Sequence, residues 1–481
     1  MHTGSLKRKY AGLSEIAKAS LWFMICGVLQ KCVSILTTPI FTRLLTTTQY
    51  GQFTIYNSWL NLFSIITTFR LDYAVFNKGM AKYPNERDQY TSVMQGTTSI
   101  VTLISFVVYL IFRKQVNAIT ELNTFLTCLM FLELFFMPAI RFWTLRQRYD
   151  YRYKAVVVAT LLLTVLNAAL GVIAVTVAED KGIARILSCI IVETCFGVFF
   201  YVVNLLKGKK CLVWKYIRFA VLFNIPLIPY YFSGYVLQQA DRLMIQKMSG
   251  LEAAAIYAVA YNVGLVMTIV SNSINSALAP WEYEALRLKE YKRIPPRFYQ
   301  IMIIVFGALV FFIAFAPEAV AILASEDYSQ ATYIIPSVTA SVLFMLMSDL
   351  FGNIEFFHDR NKFATYVSIS IAVMNIILNY FGIKLFGYIA AGYTTLICYL
   401  LAALAHSLYV ERIIRVQYND HLFDIGKILA VSFAMISVVI LMTVLYDHMI
   451  LRYTVILMFL AVIFVKRKQI FGMIEMLKNK Q

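Results

Sequence analysis

Hydrophobic and polar positions alternate along this chain in long blocks: apolar runs of about 20 residues, the length a helix needs to cross a bilayer, are broken by short charged connections. Fourteen such runs are predicted, at about 19–42, 51–70, 91–112, 119–141, 155–177, 183–206, 216–239, 251–276, 298–316, 331–356, 363–382, 385–409, 427–446 and 449–465. A β-barrel would show alternating segments of about ten residues, and the chain lacks them. The pattern predicts an all-α polytopic membrane protein with about 14 transmembrane helices. Its longest connections, Leu71–Tyr90, Pro280–Arg297 and Tyr409–Gly426, all fall on one side.

Composition agrees: 60% of the 481 residues are hydrophobic and 14% charged, and the mean hydropathy is +0.70. A net charge of +17 would suit a nucleic-acid partner, but its distribution excludes one. The excess Lys and Arg lie in alternate connections, with about 33 of the 43 basic residues on one side, about 9 on the other, and Lys31 left inside a span. Both termini are therefore expected in the cytoplasm, facing the anionic leaflet. The seven cysteines lie mostly within apolar runs and form no CxxC pair, which predicts small buried hydrophobes rather than zinc ligands or disulfides. The first apolar stretch is too long for a signal peptide and lacks a small-residue cleavage site, so it is expected to stay as a helix.

A weak internal repeat divides the chain. GVLQKCVSI at 27–35 matches YVLQQADRL at 235–243, and TTTQYGQFTIYN ending at Asn57 matches GLEAAAIYAVAYN ending at Asn262. The offset spans six helices, an even number, so the two copies insert in the same orientation, as parallel repeats do. The expected organisation is a cytoplasmic tail at 1–18, a six-helix lobe at 19–210, a second at 211–415, two further helices at 416–466 and a tail at 467–481.

Lys31 lies near the middle of the first span. A charged side chain at that depth costs roughly 2.5–3.5 kcal/mol on insertion scales, whereas each apolar neighbour contributes a few tenths of a kcal/mol. Ser34, Thr38 and Thr42 follow on its helical face, Pro39 interrupts the backbone ladder, and Arg43 closes the segment. Two readings stand: a lysine paired inside a bundle, or a helix lining a polar path. Because the repeat places Gln239 opposite Lys31, the fixed cation is expected in the first lobe alone.

Other intramembrane polar groups are Glu133, Glu193, Asp349 and His406, with Arg43, Arg70, Asp72, Arg141, Asp241 and Arg242 at helix ends. Structural pairing or snorkelling is the simpler reading for Arg141, Arg242 and His406. Glu133, Glu193 and Asp349 lie deeper, where a carboxylate can take up a proton or bind a coupling cation. A polar stripe in the eighth span (Tyr257, Tyr261, Gly264, Thr268, Asn272, Asn275) and another in the second (Asn57, Asn61, Ser64, Thr68) offer the hydroxyls, amides and rings a sugar pathway needs. Such residues also hold helices together in lipid, so both roles stay open. No phosphate-binding GxxxxGK[ST] loop, HExxH or metal-ligand spacing is present, which argues against an enzyme and against a cofactor.

The PIFTRLLTTTQYGQF, QQADRLMIQKMSGLEAAAIYAVAYN and ALAPWEYEAL stretches resemble the polysaccharide transporter family. These are Wzx-type lipid-linked oligosaccharide flippases of the multidrug/oligosaccharidyl-lipid/polysaccharide exporter superfamily. Tyr257 departs from the glycine-tyrosine step the family often shows before that helix. The resemblance implies a MATE/MurJ-like fold of two lobes with a central cavity, in the bacterial plasma (inner) membrane. It implies alternating-access transport of an undecaprenyl-pyrophosphate-linked glycan to the outer leaflet, coupled to H+ or Na+, for O-antigen, capsule or exopolysaccharide. It also implies membrane lipids, a polysaccharide polymerase and chain-length machinery as partners. By position, Lys31 and Arg43 match the family's pyrophosphate-binding cations, with Arg70 after them.

Two alternatives remain. A cation-coupled multidrug exporter would have twelve spans and bind cationic drugs through carboxylates, against which Lys31 and two extra helices weigh. An integral-membrane enzyme of envelope assembly would need a larger outer platform than these short connections provide.

Overall fold

The computed structural model describes residues 15–465. Among the described residues the backbone is helical, with short 3₁₀ and π segments and no strand. Eleven stretches are long and apolar enough to cross a membrane. One of these, Trp214–Arg287, is a 74-residue run covering two of the predicted spans. The polar helix Thr47–Thr68 and the short apolar helix Met449–Ala461 fall outside the eleven.

The chain divides into two compact units after Tyr235, rather than at the expected 210/211. The first contains α1 (Glu15–Leu44), α2 (Thr47–Thr68), α3 (Ala74–Lys82), α4 (Arg87–Ile111), α5 (Arg113–Thr120), α6 (Thr124–Phe136), α7 (Pro138–Tyr149), α8 (Tyr153–Val177), α9 (Lys181–Gly208), α10 (Trp214–Asn224) and α11 (Ile228–Tyr235). Polar anchors explain the later boundary. Asn224 donates to the Phe69 carbonyl at 2.5 Å, Tyr235 to the Ser58 carbonyl at 2.6 Å, and Tyr216 to Glu86, so α10 and α11 belong with α2–α4.

Side chains cap the helix starts that matter most here. Thr46 and Gln49 form a reciprocal box at α2, Asn123 accepts from the Leu126 amide at 2.8 Å, and Asp180 from the Ile183 amide at 3.0 Å. Helix α9 packs against α2, α4, α6, α7 and α8. Gly197 makes this possible: a Cβ there would lie 2.7 Å from the Phe136 backbone.

The second unit holds α12 (Asp241–Gly264), α13 (Thr268–Arg287), α14 (Ile294–Ala314), α15 (Ala316–Leu323), α16 (Ile335–Phe357), α17 (Asn361–Phe386), α18 (Ala390–Tyr418), α19 (Ile425–Leu445) and α20 (Met449–Val465). Its core surrounds the buried α16, with Phe298, Phe351 and Phe423 in mutual ring contact. The two C-terminal helices are part of this unit, α19 lying on α14 and α16.

The connections are shorter than hydropathy predicts. Residues 71–90 contain α3, α13 continues through Pro280 to Arg287, and α18 runs on to Tyr418. Apolarity ends at the bilayer edge, but Glu, Leu and Arg remain good helix formers beyond it. The expected turn between spans seven and eight reduces to Gly250, whose φ of +89° other residues rarely adopt.

Candidate ion and substrate sites

The first unit encloses a polar cluster built from α2, α6, α8 and α9. Glu133, 1% exposed, accepts from the Tyr56 hydroxyl at 2.7 Å. Glu193, on α9, is near enough to act on this carboxyl electrostatically. Asn167 donates to Glu193 at 3.4 Å, and Arg185 donates to Asn167 at 3.1 Å and to Ser188 at 3.2 Å. The Arg185 guanidinium is also faced by the rings of Phe41 and Phe53, at 4.2 and 4.6 Å. A carboxyl pair with one cation beside it is an arrangement that can hold and release a proton, because two adjacent carboxylates resist being ionised together.

The second unit has its own cluster, centred on Asp241. This residue is 1% exposed and accepts from Tyr257 at 2.5 Å, Asn379 at 2.5 Å and Thr395 at 3.0 Å. Asn375 donates to Thr395 at 3.2 Å, and Thr394 donates to Asn379. Tyr257, Asn379 and Thr395 thus bring hydrogen-bond donors from α12, α17 and α18 onto one buried carboxylate, which is held as a polar centre within the apolar unit. Arg242 is buried beside it, over the Tyr261 ring at 4.7 Å and bonded to Gln239. The local backbone arises from the repeat: GVLQKCVSI continues through α1, whereas YVLQQADRL passes through a π-helical turn, Val236–Ala240, that delivers Asp241 and Arg242.

The sequence-predicted residues divide between these clusters and exposed surface. Glu133 and Glu193 both belong to the cluster of the first unit, bonded to Tyr56 and Asn167 respectively; Asp349 is exposed on α16. Lys31, Arg43 and Asn272 are exposed, and Arg70 and Asn57 half-buried. Tyr257 and Tyr261 are buried behind Asp241 and Arg242. The 3₁₀ segment Leu265–Met267 interrupts the stripe between Tyr261 and Asn272, so its residues do not share one face of one helix. Asn57 and Asn61 donate to their own helix, at Phe53 and Asn57 carbonyls, leaving their amide oxygens for other partners. Arg70 lies over Tyr73 and Tyr231 at 5.1 and 5.7 Å, and Arg141 pairs with buried Asp72 at 3.0 Å. His406 bonds buried Glu355 at 2.8 Å.

Two charge expectations change. Lys31 is exposed along α1, and the cations the structure buries include Arg185, Arg242 and Arg452. The repeat copy opposite Lys31 is also not free of cations, since Arg242 follows Gln239 by three residues. Charge counting assigned these arginines to the nearest connection, but each turns inward to a partner. Arg185, Asn375 and Asn379 were missed in the sequence. Two asparagines at i and i+4 in an apolar helix, followed by Thr394 and Thr395, were the available signal.

A family profile described as polysaccharide biosynthesis protein matches residues 16–284, more than half of the chain. This protein belongs to that family. Lsg locus protein 1 of Haemophilus influenzae strain Rd is 22% identical over 369 residues, which cover 74% of this chain and 88% of that one. Among solved structures, the lipid II flippase MurJ in its inward closed conformation aligns with a TM-score of 0.64 at 12% identity, covering 94% of this chain and 100% of MurJ. An inward-facing multidrug resistance MATE family transporter of the MOP superfamily aligns at 0.53 with 14% identity, covering 80% and 98%. The fold is therefore of the MATE/MurJ type, and the chain is a multi-span membrane protein of the polysaccharide biosynthesis protein family.

Proposed function

We propose that this protein flips an undecaprenyl-pyrophosphate-linked oligosaccharide from the cytoplasmic to the outer leaflet of the bacterial inner membrane, by alternating access and driven by an ion gradient. The product would feed surface polysaccharide assembly. Family membership and a fold shared with a lipid II flippase support the substrate class. The observation that carries the reading is Lys31: an exposed cation midway along an apolar helix, available to a pyrophosphate that must leave water. Charge-assisted hydrogen bonds from such a cation offset part of the phosphate's desolvation.

In this reading Lys31 and Arg43 hold the pyrophosphate, and Arg70, Asn57 and Asn272 contact the glycan. Tyr257 and Tyr261 act from behind, by fixing Asp241 and Arg242. Ion coupling uses the Glu133–Glu193 pair and the Asp241 cluster, with exposed Asp349 as a third candidate. The MATE likeness favours a second reading, a cation-coupled multidrug exporter; Lys31 would repel a cationic drug and attract an anionic headgroup.

Lys31→Ala and Lys31→Glu are expected to abolish surface polysaccharide while the protein still reaches the membrane. Normal polysaccharide in both variants would contradict the pyrophosphate role.

A further inference from the structure

A cavity of about 1010 Å³ opens in the first unit where the start of α1 meets the start of α8. Its walls carry three cations, Lys18, Arg152 and Lys154, and three aromatic rings, Trp22, Tyr151 and Tyr153. Trp22 stacks on Tyr153 with centroids 6.5 Å and planes 11° apart, which fixes the two helix starts side by side. The apolar spans Leu21–Leu44 and Tyr153–Val177 begin here. The cations thus stand where hydrocarbon gives way to headgroups, and the rings occupy the level of an aromatic belt.

Asp150 is committed to Arg146 at 2.6 Å and to Arg87 at 3.8 Å. Arg148 adds a further cation close by, over the Phe23 ring at 4.8 Å. The positive end of the α8 dipole points the same way. Below the cations the wall becomes apolar at Val157 and Val158, the latter 65% exposed. A cationic mouth leading onto an exposed apolar helix face matches a molecule with an anionic head and a hydrocarbon tail.

We propose that this cavity binds the phosphate headgroup of an anionic phospholipid of the surrounding leaflet, with an acyl chain lying along α8. Basic pockets at the ends of spanning helices attract such headgroups at about 1 kcal/mol per Lys or Arg, or about fivefold in affinity. The site belongs to the first unit alone and is separate from the Glu133 cluster and from Lys31.

The test is native mass spectrometry of the full chain in detergent, with phosphatidylglycerol, cardiolipin, phosphatidylethanolamine and undecaprenyl phosphate as probes. Arg152→Gln with Lys154→Gln is one variant and Lys18→Gln the second; Arg152 and Lys154 are exposed, and unchanged melting temperatures confirm that the fold stands. Phosphatidylglycerol and cardiolipin adducts are expected to fall about fivefold for each charge removed, with phosphatidylethanolamine unchanged. Unaltered anionic-lipid adducts in both variants would overturn the proposal. So would a loss confined to undecaprenyl phosphate, which would give the cavity to a transported lipid, or an equal loss of all four lipids.

Discussion

Asp241 accepts hydrogen bonds from three residues on three helices, and Glu133 from Tyr56 with Glu193 adjacent. A buried charge without such partners is costly, so these groups are held rather than merely tolerated. Replacing Asp241 by Asn keeps the shape and removes the charge a cation needs. Asp241→Asn is expected to leave the protein folded and to abolish the dependence of glycan export on a sodium or proton gradient, measured with ionophores. Gradient-dependent export at the normal level would remove Asp241 from coupling. In the first unit, a double-mutant cycle between Tyr56→Phe and Glu133→Gln is expected to give a coupling energy of about 0.6–1.7 kcal/mol, the scale of hydrogen bonds between membrane helices. A value near zero by thermal or chemical unfolding would mean that the 2.7 Å contact is not energetically linked.

Close approach between helices depends on small residues at particular positions. A Cβ on Gly197 would meet the Phe136 backbone, whereas Gly27 on α1 has nothing within 4 Å. Gly197→Ala should therefore cost about 1–3 kcal/mol through overpacking, and Gly27→Ala should leave stability unchanged or raise it slightly, by melting temperature. A second element-level contact responds to pH. The Tyr216 hydroxyl, and after it Lys215, hold the Glu86 carboxyl below its usual range and so fasten α10 to the turn before α4. With the folded value depressed, this contribution is complete above the ordinary glutamate pKa of about 4.3 and fades as pH falls through the folded value. Melting curves should show that acid-side loss in the native chain and not in Glu86→Gln; identical pH profiles would contradict it.

The helices themselves were legible in the apolar blocks. Which residues face one another was less so. Arg185 sits three residues into an apolar run, so counting places it with a connection, yet it folds back onto Asn167 and Ser188. Asp241 looked like a helix-end charge because the sequence does not announce the π-helical turn that carries it inward. The stripe through Tyr261 and Asn272 assumed one unbroken helix, and a single 3₁₀ turn changes its phase.

At the scale of the whole molecule, the two units bury different chemistry. The first holds a carboxyl pair beside one arginine; the second holds a single carboxylate among amides and hydroxyls, with Arg242 adjacent. Exposed Lys31 belongs to the first unit, and buried Arg242 to the second. Under the proposed function, the anionic headgroup and the driving cation would then use different residues. Substitutions at Lys31 and at Asp241 should accordingly fail in different ways, one losing the glycan and the other losing the gradient dependence.

The most direct test of the central claim is the sidedness of lipid-linked glycan in cells from which this protein has been deleted. The predicted result is an undecaprenyl-pyrophosphate-linked oligosaccharide accumulating in the cytoplasmic leaflet, cleared by the wild-type chain and not by Lys31→Glu. If no lipid-linked glycan accumulates, or if it reaches the outer leaflet at the normal rate, the flippase account is contradicted.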